Sequence, residues 1–192
     1  YMHSDLGGFG GGEVFDPELY IRWLQYGVFQ PVFRPHAQEH IAPEPVYHDA
    51  ETMEKAKKQI LLRYSMLPYN YTLAYENSSL GLPLMRPLYM MEPDNPALFS
   101  YSASYGWGSD FVVSPVLEAG KKEQEVYLPK GNQWYHMHSH ELYQGGQSYT
   151  IQLTDDHIPV FVKAGAVIPF SRPQMRSRHY TSDSMQVQIY RH

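Results

Sequence analysis

The sequence predicts a chain in two parts, an α/β segment followed by an all-β segment. Up to about residue 82, helical periodicity alternates with a short apolar run, which favours a parallel sheet or barrel. From residue 83 onward, short β-rich runs alternate with turn residues, which favours an antiparallel sandwich. Of 192 residues, 43% are hydrophobic and 15% aromatic, so the chain can build a core and is not intrinsically disordered.

The first predicted helix covers residues 17–27 and follows a glycine-rich loop at residues 6–12. Asp16 is a suitable N-cap for this helix, and Pro17 fits its first turn. The apolar run at residues 28–33 is then predicted to be a buried strand.

A second, longer helix is predicted over residues 50–76, capped by Asp49 and broken or kinked at Pro68. Apolar residues at spacings of three or four predict which face of this helix is buried. These residues are Met53, Ala56, Ile60, Tyr64, Leu67, Tyr71 and Ala74.

The all-β part is predicted to contain several short strands separated by turns. Trp107 lies between two glycines, so we expect it in a loop where it could contact a partner domain. The predicted strands are 85–91, 111–116, 125–128, 133–137, 148–153, 160–168 and, after a polar linker at 172–183, 185–190.

Charge and composition exclude several classes of protein. The net charge of −5 provides no basic surface, which argues against a nucleic-acid partner. The absence of cysteine excludes disulfides, thiolate metal sites and cysteine nucleophiles. No apolar run approaches the ~20 residues of a membrane-spanning helix, so no membrane span is predicted.

One candidate site emerges from chain spacing. Asp5 and His36 are separated by about one strand–helix–strand step, so in a barrel both would lie at the carboxyl ends of neighbouring strands. Arg34 would point to the same side of the strand as His36, and Phe9 would add an apolar surface. We expect Asp5, Arg34 and His36 to converge on one polar pocket. The alternative is structural: Asp5 caps the glycine turn, while Arg34 and His36 satisfy buried carbonyls.

Nine blocks of sequence, in consistent order, resemble the late catalytic barrel of glycoside hydrolase family 31 and the sandwich that follows it. This is the family of α-glucosidases and α-xylosidases. The blocks are Ser4–Phe9, Glu18–Gly27, Phe29–His36, Glu44–Pro45, Leu62–Leu73, Gly81–Leu88, Gly108–Val116, Val126–Pro129 and Ile158–Pro169.

The resemblance implies a division of the chain into three regions. Residues 1–82 would be the last strand–helix units of a (β/α)8 TIM barrel, and residues 83–171 the proximal C-terminal β-sandwich. Residues 172–192 would be a linker and the first strand of a distal β-sandwich.

The resemblance also implies a retaining exo-α-glycosidase that removes terminal non-reducing α-linked glucose from oligosaccharides. His36 would hydrogen-bond the hydroxyls of the terminal sugar and Phe9 would pack against it. Asp5 and Arg34 would form the pocket wall as an orienting pair. The mechanism implies no cofactor.

Retention requires two carboxylates about 5 Å apart. In the family both precede the block that matches the start of this chain. We therefore expect no catalytic residue here, no activity from this chain alone, and the N-terminal part of the same enzyme as its partner.

Other interpretations remain open. One is an α-xylosidase of the same family, and another is a non-catalytic carbohydrate-binding or structural module built on residues 83–171. His136, His138 and His140 alternate, so on a strand they would share a face and could bind Zn²⁺ or Cu²⁺. We instead predict solvated hairpin residues and no metal site. The compartment is unknown, with family resemblance favouring a periplasmic or secreted protein.

Overall fold

The computed structural model describes residues 1–10, 12, 14–38 and 40–192, so Gly11 of the predicted glycine-rich loop lies outside the described residues. The first helix, α1, spans Pro17–Gly27 as predicted. The Asp16 side chain caps it by accepting a hydrogen bond from the Leu19 amide at 3.0 Å. Gly27 allows the helix end to approach Leu6 closely, because a Cβ at this position would overlap the Leu6 side chain.

The predicted strand at residues 28–33 does not form. Residues 28–31 are turns and bends. An isolated parallel bridge joins Leu6 to Pro35, beyond the end of the predicted strand. Three backbone carbonyls of this stretch accept hydrogen bonds from Arg63 and one from Tyr105, so side chains occupy the groups that a strand neighbour would use.

The predicted long helix is two helices, α2 over Ala50–Ser65 and α3 over Leu67–Leu80. The break at Met66 follows from Pro68, which has no amide hydrogen to continue the helix. The carbonyls of Tyr64 and Ser65 instead accept hydrogen bonds from Ser171, at 3.2 and 2.8 Å.

Ten strands follow. They are β1 (Met85–Pro87), β2 (Tyr105–Trp107), β3 (Phe111–Val113), β4 (Glu123–Leu128), β5 (Gln133–His136), β6 (Leu142–Gln144), β7 (Gln147–Gln152), β8 (Val160–Lys163), β9 (Val167–Phe170) and β10 (Gln186–Ile189). Six form one antiparallel sheet in the order β1-β2-β3-β8-β5-β6, while β4 pairs with β7 and β9 with β10.

The structure differs from the strand predictions at several points. The run at 111–116 is a strand only to Val113, and strands β2 and β6 were not predicted. The run at 85–91 is a strand only to Pro87, because Leu88–Met90 turns into a 3-10 helix. The run at 160–168 is split by a turn at Gly165, whose φ of 87° suits glycine. Trp107 is in strand β2 and fully buried, so its prediction as a loop residue open to a partner was wrong.

The centre of the six-stranded sheet is buried on both faces, because all three residues of β3 are buried and their side chains alternate between the faces. Val112 faces a cluster with Val126 and Trp134, which fills the space between this sheet and the β4–β7 pair. Phe111 and Val113 face the opposite way, into a cluster shared with α3. This architecture is the predicted antiparallel β-sandwich after a barrel fragment. Strand β10 pairs with β9, and its assignment to a distal sandwich stays a prediction.

A polar seam joins α1 and α2 to the loop before β8. The side chains of Arg22 and Gln25, both buried, donate hydrogen bonds to the carbonyls of Thr154 and Asp155 at 2.7 and 2.8 Å. Gln59, also buried, donates to the carbonyl of Asp156 at 3.1 Å. These bonds attach an exposed loop to both helices through buried polar side chains, whose own hydrogen-bonding groups are thereby satisfied. In the described parts of the chain, no helix has the length and hydropathy to cross a membrane.

Candidate functional site

The structure brings together Asp5, Arg34 and His36, whose convergence the spacing predicted, and Phe9, which lies in the same loop as Asp5. We call them the N-terminal cluster. The two segments that contain them run parallel and exchange backbone hydrogen bonds: the Leu6 amide donates to the Arg34 carbonyl, and the His36 amide to the Leu6 carbonyl, both at 3.2 Å. A further bond from the Gln38 amide to the Phe9 carbonyl, at 2.9 Å, extends the pairing beyond His36.

Asp5 and Arg34 form an ion pair. The Arg34 Nη2 donates to Asp5 Oδ1 at 3.0 Å, and His3 Nε2 lies 2.9 Å from the same oxygen. The Arg34 hydrogen bond is the main cause of a pKa of Asp5 below its usual value, with His3 contributing, so Asp5 is a carboxylate at neutral pH. A carboxylate committed to two partners is suited to orienting its neighbours, and it leaves little capacity for accepting a proton.

Phe9 and His36 provide the other half of the cluster. Their rings lie 5.4 Å apart between centroids and are tilted by 36°. Phe9 is 38% exposed and His36 half-buried, so an aromatic face and an imidazole are open together at the surface. An apolar ring beside a hydrogen-bonding group is a suitable surface for a sugar, which has C–H faces and hydroxyl edges.

Two residues in or beside this cluster were missed from the sequence. His3 contacts Asp5, and the signal for it was alternation, because residues two apart in an extended segment point to the same side. Ser4 accepts a hydrogen bond from Trp23 Nε1 and donates one to Gln30 Oε1, both at 3.1 Å. Ser4 thereby connects the Asp5 segment to α1 and to the stretch that leads to His36.

His136, His138 and His140 do not share one face of a strand, although their alternation would place them on one face of a continuous strand. Strand β5 ends at His136, His138 lies in the following turn, and His140 has a positive φ of 60°. The predicted solvation is wrong for His136, which is buried, whereas His138 and His140 are exposed. His138 stacks instead on His157, with centroids 3.9 Å apart and planes 8° from parallel.

Stacked rings direct their nitrogens sideways, which disfavours a shared metal ion. No group of three or more His, Asp or Glu side chains is placed to hold a metal, as far as the described residues extend. The His136 Nδ1 accepts a hydrogen bond from the Ser139 amide at 3.2 Å, a role that requires the neutral ring.

This histidine group predicts a pH-dependent stability. The His138 residue as a whole is exposed, but its ring is stacked on His157, and the loss of water from the stacked ring is the main cause of a pKa of His138 lowered to about 4, followed by repulsion from His157 and His136. Desolvation lowers the pKa values of His136 and His157 as well. The unfolded chain takes up these protons from pH 6.5 downward while the folded chain does not, so the free energy of unfolding should fall as the pH falls. Urea unfolding between about pH 7.5 and pH 5.5 measures this slope.

The matched variants are His138→Gln and His179→Gln, since His179 is exposed in a 3-10 segment away from the cluster. His138→Gln should flatten the slope and His179→Gln should leave it unchanged. Equal slopes in the wild type and in His138→Gln would contradict the prediction. Both variants leave the other charged and titratable neighbours of the three rings unchanged. Near His157 these are Asp155, Asp156, Arg22, Lys55 and Lys58, and near His138 they are His140 and Glu141.

Two family models match nearly the whole chain. Residues 1–73 match the model described as the glycosyl hydrolases family 31 TIM-barrel domain. Residues 81–168 match the glycosyl hydrolase family 31 C-terminal domain.

Curated relatives fall into more than one activity class. A probable glucan 1,3-alpha-glucosidase of Oryza sativa subsp. japonica is 36% identical over 170 residues, which are 88% of this chain and 18% of the relative. An alpha-xylosidase of Saccharolobus solfataricus is 34% identical over 194 residues, which are 99% of this chain and 26% of the relative. The chain therefore spans only about a fifth to a quarter of the length of these relatives.

Solved structures agree with the fold. A family 31 dextranase of Flavobacterium johnsoniae, complexed with glucose, superimposes with a TM-score of 0.83 at 34% identity and covers 91% of this chain and 22% of its own. A family 31 alpha-xylosidase of Xanthomonas citri gives a TM-score of 0.82 at 31% identity, with 92% and 19% covered.

Proposed function

The chain belongs to glycosyl hydrolase family 31, and from that premise we propose that it is the C-terminal portion of a retaining exo-α-glycosidase. Its substrate would be an oligosaccharide or α-glucoside with a terminal non-reducing α-linked glucose. Phe9 and His36 would form part of the subsite for that sugar, with Asp5 and Arg34 as the wall behind it. The nucleophile and the general acid/base would lie in the N-terminal part of the same enzyme.

The pairing of the two segments at Leu6 and Pro35 is the observation on which this proposal depends. It places the open face of Phe9 beside the His36 ring, and the Asp5–Arg34 ion pair adjoins them. A fragment that served only as a docking element for the sandwich would not need an aromatic ring, an imidazole and an oriented carboxylate side by side. This reasoning favours the enzyme over a non-catalytic module.

An α-xylosidase is the second candidate, because the Saccharolobus solfataricus relative named alpha-xylosidase aligns over 99% of this chain. Xylose differs from glucose by the absence of one CH2OH group. A difference of this size is worth about 1–3 kcal/mol in a fitted pocket. Relative rates on the two sugars therefore distinguish the candidates.

The test is hydrolysis of aryl α-D-glucoside and aryl α-D-xyloside by the complete gene product that contains this chain. We expect turnover, with the glucoside preferred, and none from the 192-residue chain alone. A preference for the xyloside would select the second candidate. Absence of turnover on both by the complete product, together with oligosaccharide binding to residues 83–171, would favour the non-catalytic module.

His36→Ala is the variant that tests the subsite. Loss of a strong hydrogen bond to the sugar should reduce the stabilisation of the transition state by about 1–3 kcal/mol, which lowers kcat/KM of the complete enzyme roughly 5- to 150-fold. His179→Ala is the matched control, because it removes an exposed histidine far along the chain and should leave kcat/KM unchanged. If His36→Ala kept the wild-type kcat/KM, the assigned role of His36 would be wrong.

A further inference from the structure

The backbone between α1 and His36 is held by side chains from two other parts of the fold. Arg63 of α2 donates from Nη1 to the carbonyls of Val28 and Gln30, at 2.7 and 2.6 Å, and from Nη2 to the carbonyl of Pro31 at 2.9 Å. The Tyr105 hydroxyl of β2 donates to the remaining carbonyl, that of Phe29, at 2.9 Å. We call Arg63 and Tyr105 the carbonyl clamp.

The side chains of the carbonyl clamp are themselves held in place by strong hydrogen bonds and by packing. Burial lowers the pKa of the Arg63 guanidinium to about 10, so it stays charged at neutral pH and forms strong charge-assisted hydrogen bonds. The Tyr105 ring is packed edge-on against Tyr26 of α1, at 5.9 Å between centroids. A planar guanidinium with several donors in a fixed arrangement can hold three carbonyls at once, which the ammonium of lysine does less well.

The clamped carbonyls lead directly into the N-terminal cluster. Pro31 is followed by the segment with Arg34 and His36, which pairs with the Leu6–Phe9 segment through two hydrogen bonds of 3.2 Å and one of 2.9 Å. The clamp fixes the backbone immediately before this paired segment. The position of His36 is therefore determined in part by where the clamp fixes the start of its segment.

We propose that Arg63 and Tyr105 are positioning residues for sugar binding, which act through the backbone of residues 28–31 on His36. Through Tyr105, the β-sandwich then contributes to the accuracy of the barrel site. This inference rests on the proposed function for its effect on catalysis. Displacement of a binding group by about 1 Å can lower the rate of an enzyme by as much as 100-fold, so a small relaxation of the clamp is measurable.

The first readout is kinetic and uses Tyr105→Phe and Arg63→Lys in the complete enzyme. Tyr105→Phe removes one hydroxyl and keeps the ring. Arg63→Lys keeps the positive charge but loses the planar guanidinium with its several N–H donors. We expect kcat/KM on the aryl α-glycoside to fall about threefold and about tenfold or more, respectively, with most of the loss in KM. A purely structural role would lower the amount of folded enzyme, and hence apparent kcat, without changing KM.

Matched controls come from the polar seam and from α3. Arg22→Lys changes another buried arginine that binds a carbonyl, that of Thr154, but does not contact residues 28–31. Tyr69→Phe removes another buried hydroxyl, which donates to the Trp107 carbonyl. Both controls should leave KM unchanged. If either raised KM as much as its clamp counterpart, or if both clamp variants kept KM within twofold, the proposal would be overturned.

The second readout does not require activity, so it separates this proposal from the proposed function. Hydrogen exchange of the Leu6 and His36 amides reports the pairing of their segments directly. These amides should exchange about tenfold faster in Arg63→Lys than in the wild type, and at the wild-type rate in Arg22→Lys. If the complete wild-type protein showed this exchange pattern but no glycosidase activity, the proposed function would be wrong, while the effect of the clamp on the position of the His36 segment would be supported. Unchanged exchange in both clamp variants would refute the clamp.

Discussion

Trp107→Ala is expected to lower the free energy of unfolding by about 3–5 kcal/mol, the usual cost of removing a fully buried large aromatic side chain. Trp107 is completely buried in the core shared by α3 and the sheet. Its indole Nε1 donates to Asn70 Oδ1, and its carbonyl accepts from the Tyr69 hydroxyl, both at 3.1 Å. Removal of the ring would leave a cavity and an unsatisfied Asn70 oxygen at the contact between helix and sandwich.

Urea unfolding followed by circular dichroism measures this loss. In a chain of this size, the melting temperature should fall by roughly 6–20 °C. Tyr71→Ala is the control, because Tyr71 is an aromatic residue of α3 that is 77% exposed. That variant should stay within about 0.5 kcal/mol of the wild type. A Trp107→Ala protein that unfolds at the same urea concentration as Tyr71→Ala would contradict the structural role given to Trp107.

The contrast between Trp107 and Tyr71 explains one limit of the sequence analysis. Glycines on both sides of Trp107 indicate a loop, but Gly106 is itself a residue of strand β2, where the absence of a side chain leaves room for Met91, and Gly108 follows the strand. Tyr71 belonged to the predicted apolar face of one long helix. The break at Met66 restarts the helix, so α3 buries Tyr69 and Leu73 and turns Tyr71 outward. Local patterns predict that both segments are helical, but they do not predict that the buried face shifts to other residues after the break at Met66.

The N-terminal cluster was predictable for a simpler reason. A strand–helix–strand step has an almost fixed length, so spacing alone suggested that Asp5 and His36 would be neighbours. The carbonyl clamp was not predictable in this way. Arg63 lies 35 positions from Val28, and Tyr105 lies 76 from Phe29. An arginine on an amphipathic helix and a tyrosine in a short strand have many possible partners until the chain is folded.

Glu92→Ala should cost about 2–4 kcal/mol of folding free energy, because it leaves buried donors without an acceptor. The Glu92 carboxylate, only 4% exposed, accepts hydrogen bonds from the Tyr127 hydroxyl at 2.8 Å and from the Lys130 amide at 2.9 Å, and another from Asn95 Nδ2 at 3.0 Å. It thereby fixes the end of the 3-10 helix after β1 to strand β4 and to the turn that follows β4. No pattern in the sequence distinguishes this acidic residue from those on the surface.

The pH dependence of this effect has a definite sign. Burial raises the pKa of Glu92, but the hydrogen bonds from Lys130, Tyr127 and Asn95 outweigh it, so the pKa lies below the usual 4.5. The stabilisation is therefore complete above pH 4.5 and is lost as the pH falls below it, when the unfolded state takes up a proton first. Glu92→Gln should lose part of the stability at neutral pH and show a shallower decline in acid than the wild type.

Glu118→Ala is the matched control, because the Glu118 side chain is 73% exposed and forms an ion pair with Lys121 at the surface. Exposed ion pairs contribute about 0–1 kcal/mol, so this variant should be close to the wild type at neutral pH and should keep its acid profile. Unfolding in urea at about pH 7 and at about pH 3.5 compares all four proteins. Equal losses from Glu92→Ala and Glu118→Ala would mean that the buried carboxylate does not hold the sandwich edge together. A larger loss only for Glu92→Ala, reduced in acid, would locate that stability in its three hydrogen bonds.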